Sequence, residues 1–202
     1  MWETSAAALV QVGDVDGYRR HCRDGFEHFR HTKSPDIADR VAKACLVLPD
    51  SGVDLQGSGA LADRALALEK ARVRMPGHYF CKALAEYRRG NFSEAARWSQ
   101  QTLAYATEPL AVRIAAIDAI SMERDACAYA LLAMAQHHLG QVDKAISSLK
   151  KGEIAEASLP KLNGDLENGP YAHALLREAK ALIEGEAAPA NERTETNKAH
   201  EK

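Results

Sequence analysis

One pattern occurs twice in this chain and limits what it can fold into more than any other feature. In YFCKALAEYRRGNFSEAARWSQQTL (79–103), Tyr79, Ala83, Leu84 and Tyr87 recur at helical spacings and share one face. Gly90 ends that helix, because glycine takes the left-handed C-cap conformation at little cost. Asn91, with Glu94 three residues later, reads as a capping box that starts a second helix. Ala95, Ala96, Trp98, Ser99 and Leu103 carry the buried face of that helix. YALLAMAQHHLGQVDKAISSLKKG (129–152) repeats the arrangement, with Tyr129, Ala133, Gly140 and Ala145 at the offsets of Tyr79, Ala83, Gly90 and Ala95. The two segments align glycine to glycine without gaps. A hairpin of this size cannot bury its apolar face alone, so the repetition predicts stacked hairpins.

Composition agrees. Hydrophobic residues make up 46% of the chain but aromatics only 6%, and alanine recurs throughout. Alanine favours closely packed helices and is poor in strands. No period-two run of Val, Ile and Thr occurs, so the class is all-α. The net charge is -2, from 26 basic and 28 acidic residues, which gives no electrostatic case for nucleic acid or a membrane surface. Cys22, Cys45, Cys81 and Cys127 lie far apart on apolar helical faces with no CxxC spacing, which predicts buried free thiols in a reducing compartment. No apolar run approaches the ~20 residues of a membrane span. The opening MWETSAAALVQVGD lacks the basic start and apolar stretch of a signal peptide. A soluble, cytoplasmic chain is the expectation.

Taken in order, a first helix spans Trp2 to Val12, and Gly13-Asp14 breaks it as Gly90-Asn91 does later. The next helix carries Tyr18, Cys22, Phe26 and Phe29, with Tyr18 standing where the central hairpin has Ala95. Ser34-Pro35 opens a third helix, serine as N-cap and proline at the first helical position. Its stripe is Ile37, Ala38, Val41, Ala42, Cys45 and Leu48, and Pro49 ends it. SGVDLQGSG (51–59) reads as a glycine-rich connector, and LADRALAL (61–68) as the partner helix. A polar, basic junction follows to Pro76-Gly77. Beyond the central hairpin, Pro109 opens a helix, and no glycine or proline interrupts Leu110 to Leu139, with either a bend or plain continuation at Glu123-Arg124-Asp125. Gly152 to Gly169 reads as a connector, and Pro170 to Glu184 as a capping helix with Tyr171, Leu175, Leu176, Ala179 and Leu182 inward. Residues 1–185 form one helical repeat domain. The tail, 186–202, has almost nothing to bury and is expected to be disordered.

The offsets resemble those of the tetratricopeptide repeat, which implies an α-α solenoid, a right-handed superhelix of about three and a half hairpins. More narrowly, GDVDGYRRHCRDGFEHF, DIADRVAKACLVLPDSGVDL, LADRALAL, EYRRGNFSEAARW and LLAMAQHHLGQVDKA resemble, in that order, the divergent repeats at the C-terminal end of large bacterial serine/threonine kinases and β-propeller proteins. The resemblance implies a non-catalytic interaction module linked to bacterial signalling, or else a structural or dimerising piece of such a larger protein. It does not imply kinase activity. No GxGxxG is present, and the position five after Asp125, in the triplet Glu123-Arg124-Asp125, is Ala130 and not asparagine.

Other constellations are weak. His21, His28 and His31 with Cys22 are too loosely spaced for the four convergent ligands of a zinc site. His78 lies three residues before Cys81, but nothing in the sequence orients it as a base for a thiolate, so Cys81 reads as core. Arg64, Lys70, Arg72 and Arg74 are diluted by Asp63 and Glu69. No catalytic residue, cofactor or metal is therefore expected. What remains is the inner surface such arrays use for binding. The matched offsets place Phe80, Leu84, Tyr87 and Arg88 on it from one hairpin, and Met134, His137 and His138 from the other, although Leu84 and Tyr87 suit a core equally well. The expected partner is a protein or peptide. The lysine and asparagine of the tetratricopeptide clamp for chaperone tails are absent.

Overall fold

Among the described residues of the computed structural model, 2–70, 75–104, 115–159 and 169–185, nine α-helices and no strand occur. They are α1 (Trp2–Gln11), α2 (Val15–Phe29), α3 (Pro35–Leu46), α4 (Leu55–Leu68), α5 (Met75–Arg88), α6 (Phe92–Ala104), α7 (Ala115–His138), α8 (Val142–Ala157) and α9 (Pro170–Glu184).

Three of the turns are built alike. Gly13, Gly90 and Gly140 have φ of 72, 80 and 72°, the left-handed region that favours glycine. At each, the glycine N–H donates to the carbonyl three residues back and the next N–H to the carbonyl five back, which is the Schellman cap. Asn91 N–H thus goes to Glu86 O at 2.9 Å and is not left for a capping box. Glu94 instead pairs with Arg97 at 2.6 Å, and the Asn91 amide donates to Glu86 at 2.6 Å. The residues five after the glycines, Tyr18, Ala95 and Ala145, are fully buried. Tyr18 is the largest of the three and uses its hydroxyl as well, donating to Ala44 O at 2.6 Å.

Each odd-numbered helix packs on the next odd one, from α1 through α3, α5 and α7 to α9, and α9 also touches α1. The row closes on itself, with even-numbered helices packed beside it. Phe80, Leu84 and Met134, expected to line a groove, are 4, 0 and 0% exposed and belong to the core.

Parts of the two stretches read as connectors, 55–59 and 152–157, are helical. Asp54 caps α4 by accepting from Gly57 N–H at 2.7 Å, so the helix begins at Leu55 and runs through 55–60. A side chain on Gly57 would meet the Phe26 ring, and one on Gly59 would meet the Arg89 guanidinium. Gly152 likewise lies inside α8, where a Cβ would come within 2.7 Å of Leu176. These glycines admit neighbouring helices and do not break their own. Helix α7 runs unbroken through Glu123-Arg124-Asp125, and Ser34 caps α3 with Pro35 following, as expected. Pro109, Arg72, Arg74, the stretch 160–168 and the tail lie outside the described residues. No helix among the described residues is long and apolar enough to cross a membrane.

Candidate functional site

The C-terminal end of α3 is buried, so its last carbonyls need donors from elsewhere in the fold. Tyr18 serves Ala44, and Arg88 serves the next two free positions: Nε donates to Leu46 O at 2.8 Å and Nη2 to Val47 O at 2.7 Å. The rest of the guanidinium faces Glu178 on α9 as a two-point fork, at 2.5 and 2.8 Å. A cation at a helix C-terminus also complements the helix dipole. Arg88 is therefore a clamp joining α3, α5 and α9, already supplied with acceptors.

Beside this clamp lies a cleft of about 330 Å³. Leu48, Pro49, Val53 and Leu55 supply an apolar wall from the α3–α4 connection, with Ser51 and Ser58 adding hydroxyls. Tyr87, Phe92 and His138 line it from the hairpin turns. The His138 ring stacks on Phe92 at 4.0 Å and 6°, and Tyr87 stands 5.8 Å from Phe92. Burial and then His137 push the His138 imidazole below its ordinary value, favouring the neutral ring that stacks best. Burial and then Glu178 push the Tyr87 phenol up to about 12.

Of the residues expected to form one groove, Tyr87, Arg88 and His138 do line this common cleft, while Phe80, Leu84 and Met134 do not reach it. His137 is half-buried, with Nδ1 enclosed and making no hydrogen bond. The weaker constellations disperse. His28 and His31 are exposed, and Cys22 faces Ala44 O from the core. Arg124 pairs with its neighbour Asp125 at 2.8 Å. All four cysteines are buried and none forms a disulfide. The Cys81 thiol lies 3.6 Å from Asp39 O and not against the His78 ring nitrogens, which face carboxylates.

At the opposite end of α5 is a cluster that residue spacing does not reveal. His78 is enclosed between Asp39 of α3, 3.1 Å from Nδ1, and Glu69 at the end of α4, 3.1 Å from Nε2. The Nδ1 approach is close enough for ion pairing but off the line of an N–H bond. Lys43 holds the other Asp39 oxygen at 2.7 Å. Burial opposes a charged imidazole, yet Asp39 and Glu69 outweigh it and raise the His78 pKa. Burial alone would raise the Asp39 carboxyl, but Lys43 and His78 hold it low. One signal pointed here: Asp39 interrupts the apolar stripe Ala38, Val41, Ala42, and a charge on a buried face needs a partner.

Compared with known proteins, the chain matches no family model, no curated protein and no solved structure.

Proposed function

We propose that the chain is a non-catalytic protein-interaction module, a tetratricopeptide-like row of helical hairpins that holds a segment of a partner protein in the cleft beside Arg88. The cleft itself carries the reading. Its apolar wall and the Tyr87–Phe92–His138 cluster suit a bulky apolar side chain. Aromatic groups of this kind dominate interface energetics. Support for the solenoid-like assignment comes from the three matched glycine turns and the successive packing of odd-numbered helices. The resemblance to kinase-borne repeats favours a role for such a module in bacterial signalling. A second reading, a dimerising piece of a larger kinase or propeller protein, is favoured by the exposure of Leu139, Val142 and Ile146 in an apolar row at the α7–α8 turn.

A displayed library of random peptides, selected on the full chain, tests the first reading. Peptides rich in large apolar residues are expected, and Leu55→Lys and His138→Glu should each weaken them by about 10-fold or more with unchanged melting. Peptides indifferent to both substitutions would remove the cleft as the site. Light scattering tests the second: a dimer dissociated by Ile146→Lys supports it, and a monomer excludes it.

A further inference from the structure

We propose that Asp36, Glu69 and His78 form a binding site for a first-row divalent cation, with Asp39 as the group that orients the histidine. One donor atom from each of the three lies within 4.8 Å of the others. A cation held at about 2.0–2.1 Å by two ligands sets them roughly 2.9 Å apart at a right angle and 3.3 Å apart at the tetrahedral angle. His78 Nε2 and Glu69 Oε2, hydrogen-bonded at 3.1 Å, stand inside that interval, so the cation would take the place of the proton between them. Asp36, on the first turn of α3, completes a three-donor set with a small side-chain adjustment.

The cluster differs from an ordinary patch of surface acids in two respects. The His78 and Glu69 side chains are 3 and 5% exposed, so the donors sit in a low-dielectric setting that strengthens their hold on a cation. Independently, Asp39 stands behind the ring, 3.1 Å from Nδ1, and is itself anchored by Lys43. Metal-bound imidazoles commonly have a carboxylate at the nitrogen remote from the ion, and Asp39 supplies that charge here as an ion-pair contact. One imidazole with two carboxylates favours zinc or manganese over magnesium or calcium, which prefer oxygen alone. The three donors leave at least one coordination position for water. Bound there, the ion would tie the start of α3 and the end of α4 to α5.

The test is calorimetric titration of the chelator-treated full chain with Zn²⁺, repeated with Mn²⁺. Binding of one ion per chain is expected, with a melting temperature raised by roughly 5 °C or more at a hundredfold excess over Kd. His78→Ala could disturb the core, so the deciding variant is Asp36→Asn at the helix start. It should bind at least 10-fold more weakly, and its melt without metal, run beside the wild type, separates that loss from any change in the fold. Asp39→Asn should weaken binding by about 10-fold while the number of ions stays at one. A variant lacking His28 and His31 should bind as the wild type does. Absence of binding by either ion, binding that Asp36→Asn leaves intact, or binding lost with His28 and His31 would each overturn the proposal.

Discussion

Helix α5 carries a buried nitrogen-rich side chain near each end, and their surroundings differ. Arg88 faces two backbone carbonyls and one carboxylate, each matched to a donor of its fork. His78 faces carboxylates, Asp39 and Glu69, with a third, Asp36, close by. A guanidinium keeps its proton at any relevant pH, so the Arg88 end is complete as built. An imidazole can exchange its proton for a metal, so the His78 end keeps a capacity the other lacks. On the proposed cation site, the same helix is fixed at one end and receptive at the other.

The comparison is broken most directly at the fixed end. Arg88→Ala strips donors from two α3 carbonyls and leaves Glu178 without its fork, and it should cost about 3–5 kcal/mol in urea unfolding. Loss below 1 kcal/mol would show that the clamp does not join α3 to α9. Arg88→Lys should recover less than half, because an ammonium cannot span the same acceptors.

At the receptive end, Asp39→Asn keeps the side-chain shape but removes the charge facing Lys43 and His78. A cost of about 2 kcal/mol is expected, visible as a lower urea midpoint with an unchanged slope. Equal losses from Arg88→Ala and Asp39→Asn would erase the distinction between the two ends.

Gly90, just past the Arg88 end, has open space where a Cβ would go, so its substitution tests backbone strain alone. Gly90→Ala should destabilise by about 1 kcal/mol in thermal melts. An unchanged melting temperature would mean that the cap does not set the turn.

The smallest effect concerns Tyr87. Its phenol is raised from 10.0 to about 12, so the stability it contributes is present below about pH 10 and lost as pH rises through about 12. The tyrosinate absorbance removed by Tyr87→Phe should accordingly titrate near 12. A component near 10 would place Tyr87 in water and open the cleft to revision.

The turns were readable because their causes are local. Gly13, Gly90 and Gly140 reverse the chain within a few residues of themselves, and the spacing to the next buried position repeats. Gly57, Gly59 and Gly152 look the same in sequence but serve contacts with Phe26, Arg89 and Leu176, which only the fold brings near. The groove was misplaced for a related reason. Inner and buried faces of a hairpin array share one periodicity, so spacing alone does not decide whether Phe80, Leu84 and Met134 face a partner or the core. Asp39 and His78 are separated by a whole hairpin in sequence, and a lone aspartate on an apolar stripe announces only that a partner exists.

The contact between α9 and α1 also bears on how the chain reaches its native state. Hairpins such as α5–α6 and α7–α8 join neighbours in sequence and can pair as soon as they leave the ribosome. The α1–α9 contact waits for almost the whole described chain. Doubling a loop adds only about 0.6 kcal/mol of closure entropy, so this late step costs little at equilibrium, but non-local pairing is slow. Until α9 docks, Glu178 is missing from Arg88, and Leu175 and Leu176 leave the apolar faces they cover open to water. Among the described helices α9 is thus the one whose docking completes both contacts, and apolar surface stays open to water until it does.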